Sequence, residues 1–519
     1  MRFPLVHDML ARAAQARPDA PLVLDGRDRS TYAEAERASN RVARALVAEG
    51  IHRGDRVGLI ADNSRWYVEA YYGILKAGGV VVSLSTAGDS RTHRALLADC
   101  GARGVVCGPT QARAVAGIAG LHGIEFVLGP APPDSAEPAG LGVCRILEPS
   151  VVLSAMSDQA PPVRGIDLDR AAIVYTSGST GRPRGAILRH LNIVANTRSI
   201  VQYLGLTPAD RGMVVLPFHY VYGKSLLNTH VAAGGSVVIE NRFMYPQQAL
   251  DTLERSEATG LAGVPSTFAI LLNKSNLASR RLPSLRYVTQ AGGAMAPELT
   301  RRLIEALPGK EIYIMYGATE ASARLSYLEP ADLPRKIGSI GKAIPNVELR
   351  VLRDDGAEVE IGEIGEIVAR GSNIMEGYWN APEETAAVLD ENGYHTGDLG
   401  RRDEEGFLYV VGRKREMIKS GAHRISPKEI EEVLVEHPAV HEAAVVGVPD
   451  EILGESIAAF VTLRPGHPQD GAGILAWCRE RLPAYKIPTT LRSLREFPRN
   501  ASGKIDKLAL KRPALADAP

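Results

Sequence analysis

Five short segments carry residue types that could do chemistry on a nucleotide. Tyr175-Thr176-Ser177-Gly178-Ser179-Thr180-Gly181-Arg182-Pro183-Arg184-Gly185 packs three glycines and four hydroxyl side chains behind an apolar run. Small residues let backbone N–H groups close around phosphate oxygens, the hydroxyls add donors, and Arg184 adds fixed positive charge. The Gly-Lys-Ser/Thr ending of a Walker loop is absent. Tyr316-Gly317-Ala318-Thr319-Glu320 offers a hydroxyl for a phosphate oxygen and a carboxylate for Mg²⁺; read alone, it is equally a strand end with Thr319 capping a helix. Ala291-Gly292-Gly293-Ala294 leaves backbone open to a flat ligand. In Tyr394-His395-Thr396-Gly397-Asp398-Leu399-Gly400, the Asp398 carboxylate can accept from two vicinal hydroxyls, or simply close a turn. Asn500-Ala501-Ser502-Gly503-Lys504-Ile505-Asp506-Lys507 ends the series, and one lysine there reads alone as a solvated charge.

These segments need strands to aim them. Arg56–Ile60, Gly79–Leu84, Ala171–Tyr175, Met213–Leu216, Ser236–Ile239, Leu285–Thr289 and Ile312–Tyr316 are short and rich in Val, Ile and Tyr, which predicts strands buried on both faces. Helix-like stretches alternate with them. Ser64–Ala77 starts on a capping serine and stops at Gly78-Gly79. This is the grammar of an α/β fold with parallel-rich sheets. Beyond about residue 335, Val347–Leu352 and Glu366–Arg370 alternate apolar with polar around Gly-containing turns, which predicts a small antiparallel unit. From Gly412 onward the texture is that of a compact α+β domain, with Pro427 at the first position of a helix behind a capping Ser426 and strands at Ala443–Val446 and Ile457–Leu463. The expected division is a large domain over 1–411 and a small one over 412–519. The Pro-rich stretch Gly129–Pro138 reads as a surface loop.

Composition narrows the partners. Lys plus Arg and Asp plus Glu both number 60 in 519 residues. A zero net charge argues against a bulk polyanion such as nucleic acid. Cys100, Cys107, Cys144 and Cys478 lack the spacing of zinc sites or disulfide frameworks and fit a reducing cytosol. Residues 1–21 are too interrupted by charge for a signal peptide, and no apolar run nears the ~20 residues of a membrane span. A cytoplasmic monomer or homodimer is the expectation.

Taken in order, the five segments resemble the signature motifs of the acyl-adenylate-forming superfamily, which contains acyl-CoA synthetases, adenylation domains and luciferase-like enzymes. The resemblance runs from about Thr31 to Lys507. It implies that the loop Thr176, Ser177, Gly178, Ser179, Thr180, Gly181 and Arg184 holds the ATP phosphates. It places Thr319 on the α-phosphate, Glu320 on Mg²⁺ and Tyr316 with Gly317 near the adenine. Gly292, Gly293 and Ala294 would face the base, Asp398 and Arg413 would hold the ribose, and Lys504 would bridge the substrate carboxylate and the α-phosphate. The family most often has Lys where this chain has Arg184, and many relatives have Asp where it has Arg415, the hinge residue by position in Lys414-Arg415-Glu416. Ser420-Gly421-Ala422 would line a tunnel for a thiol in a second position of the mobile small domain.

The implied reaction is formation of an acyl-AMP from ATP and a carboxylic acid, then transfer to a thiol. The acceptor is free CoA or the phosphopantetheine arm of an acyl or peptidyl carrier protein; an inactive nucleotide-binding scaffold is the third reading. The resemblance puts His219, Tyr220, Lys224 and Val264 at the acyl pocket. No Asp lies between Leu216 and Asn228, which disfavours an ordinary α-amino acid. Lys224 has two readings: in the pocket, it meets a second carboxylate or polar tail; facing out, it is a solvated charge.

Overall fold

The computed structural model describes residues 4–26, 28–118, 120–121, 123–130, 144–162, 165–176, 183–421, 423–499 and 505–511. The apolar runs become strands of two large sheets. In an eight-stranded sheet, Arg56–Ile60 lies between Val80–Ser83 and Gly104–Cys107, all parallel. Next to Val80–Ser83 comes Arg170–Thr176, which forms an antiparallel hairpin with Arg184–Arg189. In a nine-stranded sheet, Ser236–Ile239, Arg211–Val214, Gly260–Gly263, Tyr287–Gln290 and Glu311–Tyr316 run parallel. Val80–Ser83, Ser236–Ile239 and Tyr287–Gln290 are buried at every position. The Val- and Ile-rich composition of the first two suits strands covered on both faces.

Helices pack between and around the sheets. Arg65–Lys76 begins where the Ser64 side chain accepts from the Tyr67 N–H and ends before Gly78, whose φ of 77° only glycine adopts freely. It crosses Tyr32–Ala48 so closely that a Cβ on Gly73 would lie 2.6 Å from Val42. Its Tyr67, Tyr71 and Tyr72 are fully buried at the centre of the largest core.

The predicted antiparallel unit forms. Val347–Leu352 pairs with Gly365–Gly371, which pairs with Gly393–Arg402, and Leu408–Arg413 lies on the far side of the latter. After residue 417 a separate five-stranded sheet is built around Val440–Asp450 and Gly454–Leu463, with its own core of Ile418, Ile430, Leu434, Val445, Val461 and Ile474. Pro427 opens the helix Pro427–Val435 as expected, but Ser426 does not cap it: its Oγ donates to the Val411 carbonyl instead. Tertiary pairing outcompetes the local cap there. Most of Gly129–Pro138 lies outside the described residues. Among the described residues no helix is long and apolar enough to cross a membrane.

Candidate adenylate site

The parallel strands of the nine-stranded sheet end together at Val214, Gly263, Gln290 and Tyr316. The segments that follow them carry His219, Tyr220 and Lys224, Val264, the turn Gly292 to Ala294, and Gly317, Thr319 and Glu320, at the carboxyl edge where open α/β sheets bind ligands. Val264 and Gly292 come into contact there: a Cβ on Gly292, whose φ is 85°, would lie 3.0 Å from Val264 Cγ1. Gln290 Nε2 donates to the Gly293 carbonyl at 2.9 Å and fixes the turn. Gly292, Gly293 and Ala294 are left exposed.

The turn after Tyr316 is tightly specified. A Cβ on Gly317 would sit 1.9 Å from the Ala323 carbonyl, so only glycine fits. Ser322 and Ala323 have φ values of 56° and 122°, a strained conformation for side-chain-bearing residues. Asn373 holds it, donating from Nδ2 to the carbonyls of Ala321 (3.1 Å) and Arg324 (2.9 Å) and accepting from Ser322 Oγ at 2.9 Å. Thr319 is the first residue of a 3₁₀ turn whose N-cap is Ala318, so the capping reading of Thr319 is set aside. Its hydroxyl makes no hydrogen bond to a described residue.

Arg184 and Glu320 meet through a residue the sequence did not single out, Tyr378. The Tyr378 hydroxyl donates to Glu320 Oε1 at 2.7 Å, and the Arg184 guanidinium lies 4.9 Å from the centre of its ring. Gly377–Tyr378 is brought there by antiparallel pairing with Ala186 and Ile187. Burial, with the Glu320 charge, holds the Tyr378 phenol above its ordinary range, while Arg184 and Arg415 pull the other way. Arg415 therefore lies within electrostatic reach of this cluster. Thr176 pairs with Arg184 across the hairpin, its Oγ1 donating to the Arg184 carbonyl at 3.4 Å. Ser177, Gly178, Ser179, Thr180, Gly181 and Lys504 lie outside the described residues. A Gly-Tyr-Trp-Asn string is the one sequence signal at Tyr378, and it says nothing of Glu320.

A second cluster centres on Asp398, which is 6% exposed. Tyr316 donates its hydroxyl to Oδ2 at 2.6 Å, and the Arg413 guanidinium forms an ion pair with the carboxylate, its Nε 2.9 Å from Oδ1. Asp398 and Arg413 face each other across the antiparallel sheet. Burial drives the Tyr316 phenol well above its usual value, and the Asp398 anion adds to it. Asp398 in turn raises the Arg413 pKa. Gly421, with φ of 57°, is held at Leu453, whose carbonyl accepts its N–H at 2.8 Å, and not at either cluster.

At the fourth strand end, the rings of His219 and Tyr220 lie 4.2 Å apart at the start of the helix Val221–Ala233. The solvated reading of Lys224 is overturned: the residue is 4% exposed. Its Nζ donates to Ser83 Oγ at 2.6 Å and lies 5.1 Å from the Tyr71 ring centre. Burial pulls its pKa down to about 7. His219 is pulled down to about 4 by burial and by Lys224, against the opposing pull of Asp62.

The model of the AMP-binding enzyme family matches residues 10–379, and that of the AMP-binding enzyme C-terminal domain matches 429–504. A feruloyl-CoA synthase of an Amycolatopsis species is 34% identical over 505 residues, 96% of this chain and 97% of the relative. Among solved structures, ATP-bound MatB from Rhodopseudomonas palustris superposes with a TM-score of 0.87 at 30% identity, covering 98% of this chain and 99% of that one. The o-succinylbenzoate CoA synthetase of Bacillus subtilis, in complex with its acyl-adenylate intermediate, gives 0.85 at 29% identity, covering 98% of each chain. The chain belongs to the AMP-binding enzyme family.

Proposed function

We propose that the chain is an AMP-forming acid–thiol ligase that makes an acyl-AMP and transfers the acyl group to the thiol of CoA. In the first step a carboxylate oxygen bonds to the α-phosphorus of ATP, the bond from that phosphorus to the bridging oxygen breaks, and pyrophosphate leaves. In the second, a thiolate sulfur bonds to the acyl carbonyl carbon and AMP leaves. Two anions must approach each other in the first step, so the protein must supply donors and positive charge. Arg184 and the loop from Thr176 to Gly181 serve the phosphates, with Thr319 on the α-phosphate. Asp398, with Tyr316 and Arg413 behind it, accepts from the ribose hydroxyls. Gly292, Gly293 and Ala294, with Gly317, leave backbone for the adenine. Lys504 steadies the charge that develops between carboxylate and phosphorus.

Magnesium fits Glu320. A nucleotide-bound Mg²⁺ uses one or two protein carboxylates and takes its other ligands from phosphate and water. Glu320 commits Oε1 to Tyr378 and leaves Oε2 without a donor among the described residues. When bound, the ion supplies Lewis-acid polarisation of the phosphate oxygens. Residues 412–519 act as the mobile small domain with Arg415 at its hinge, and Gly421 lines the thiol path once that domain has moved.

The observation that carries this reading is the convergence of Arg184, Glu320 and the Tyr316–Asp398–Arg413 triad at one sheet edge, in a chain matched end to end by acyl-CoA ligases. Pyrophosphate release against a panel of acids tests the first step. Mass spectrometry of the thioester formed on CoA, or on a carrier protein, tests the second. Thioester on the carrier alone reassigns the acceptor, and no pyrophosphate from any acid leaves a nucleotide-binding scaffold.

A further inference from the structure

Glu320 is held at two points, and one short segment supplies both. Its backbone carbonyl accepts the Met375 N–H at 2.8 Å, and its Oε1 accepts the Tyr378 hydroxyl at 2.7 Å. The segment lies more than fifty residues further along the chain, so this clasp exists only once the protein has folded. The last torsion of a free glutamate is soft, and an unheld carboxylate samples many directions. A hydroxyl fixed on one oxygen sets the direction of the other.

Tyr378 is itself firmly placed. It is buried and pairs with Ala186, while Gly377 pairs with Ile187. Glu376 and Trp379 extend that register, donating their N–H groups to the Ile187 carbonyl at 2.9 Å and the Gly185 carbonyl at 2.8 Å. The Tyr378 N–H donates to Thr385 Oγ1 at 2.9 Å, and that hydroxyl donates to the Ala381 carbonyl at 2.8 Å. A Cβ on Gly377 would lie 2.8 Å from Thr385 Cγ2, so this close approach favours glycine.

The strand that places Tyr378 also places Arg184. Arg184–Arg189 opens on that residue, whose Cζ lies 4.9 Å from the Tyr378 ring centre. Ring faces attract cations, and a phenol hydroxyl donates to an anion. One neutral side chain therefore meets the guanidinium with its face and the carboxylate with its hydroxyl. The hydroxyl has an advantage over a cation at that place. A lysine or arginine would orient Glu320 and neutralise it, whereas the phenol orients it and leaves its charge whole. A magnesium ion, a hard cation, needs the charge as well as the direction.

We propose that Tyr378 is a positioning residue for magnesium: its hydroxyl orients the Glu320 carboxylate so that Oε2 is kept for the nucleotide-bound ion, with the Met375 N–H steadying the backbone behind it. This rests on the ligase reading above, in which Glu320 binds the metal, and adds to it a residue that acts through Glu320. Groups that orient a metal's ligands set its affinity, and their loss commonly costs about 10- to 100-fold. The hydroxyl stays a donor through the neutral range, because burial and the Glu320 charge hold the phenol above its ordinary range against Arg184 and Arg415.

The test uses the full chain with no acid added. Water-proton relaxation measures the affinity for Mn²⁺·ATP, the paramagnetic stand-in for the magnesium complex, and equilibrium dialysis with a chelator measures that for metal-free ATP. Tyr378→Phe removes one hydroxyl and keeps the ring on Arg184. It should weaken Mn²⁺·ATP by about 10- to 100-fold and leave metal-free ATP unchanged, so the ratio of the two affinities falls. A hydroxyl that only packs would lower the Tm and leave the ratio alone. Glu320→Gln should lose at least as much of the ratio, and adding Tyr378→Phe to it should cost little more, because the ligand being oriented has gone. Thr385→Val, which releases the Tyr378 backbone, should lose a smaller part. An unchanged ratio in Tyr378→Phe, or in Thr385→Val should Tyr378→Phe not fold, overturns the proposal. So does a Glu320→Gln variant that binds Mn²⁺·ATP like the wild type, or a double variant whose losses simply add. Pyrophosphate release with hexanoic, adipic and benzoic acid is measured alongside. No pyrophosphate from any of them, with the ratio falling as expected, would overturn the ligase reading and not the role of Tyr378.

Discussion

Asp398 and Lys224 are both buried charges, and they meet burial in opposite ways. Asp398 is bracketed by Tyr316 and Arg413, so its charge is stabilised where it stands. Removing it should raise the KM for ATP by about 10- to 100-fold, the worth of charge-assisted bonds to a ribose; Asp398→Ala assayed by pyrophosphate release across ATP concentrations measures this. Lys224 has no such partner, and its pKa falls to about 7. The unfolded chain, with an ordinary lysine near 10.4, then binds more protons than the folded one between those values. Stability contributed by this site therefore rises with pH over that window and is lowest at and below neutral pH. Lys224→Met should melt higher than the wild type without ligand, by most near pH 6–7, with the gap closing toward pH 10. The groups facing Lys224 do not confuse the reading: Tyr67 and Tyr71 are pushed above their usual range by burial, and His219 is held near 4. A variant that melts lower throughout would mark Lys224 as an ordinary packing residue. The candidate residues were legible in the sequence where a motif is local, as around Asp398. Tyr378 was not, because it acts on a carboxylate 58 residues away.

Strands and one helix were read well for a simple reason. Buried parallel strands leave runs of Val and Ile, and Ser64 with Gly78 punctuates the helix Arg65–Lys76 locally. Ser426 looked like the same punctuation, yet its hydroxyl was claimed by Val411. The turn from Gly317 to Arg324 was legible only as a motif. Its strain at Ser322 and Ala323 and its clamp by Asn373 are products of packing. Gly317→Ala tests that turn as a unit. The added Cβ collides with backbone, so the turn must open; a drop in kcat of at least about 10-fold is expected, together with a fall in Tm of several degrees. A variant that keeps both would show that Thr319 and Glu320 do not depend on the turn's shape.

At the scale of the molecule, the sheet beyond residue 417 has its own core, and its last described helix is tied back toward the junction. Lys507 bonds Glu416 at 3.1 Å and Glu431 at 2.8 Å. Burial alone would lower the Lys507 pKa, but those carboxylates raise it overall. This anchors the chain just after Lys504. If Lys504 serves only the first step, Lys504→Ala should lose pyrophosphate release by at least about 100-fold. Thioester formation from supplied acyl-AMP and CoA should stay within a few-fold of wild type. Equal loss in both steps would place the lysine in a general binding role. The Asp398 carboxylate has a final consequence. A carboxylate offers about four lone-pair directions, and the Tyr316 hydroxyl takes one of them while Arg413 pairs with its charge. On the reading proposed above, the vicinal hydroxyls of a ribose would dock on the directions left over, without displacing Tyr316. The side chain's freedom was surrendered when the protein folded, so a nucleotide that used this carboxylate would meet an acceptor already set in place and would bind with less entropy to lose.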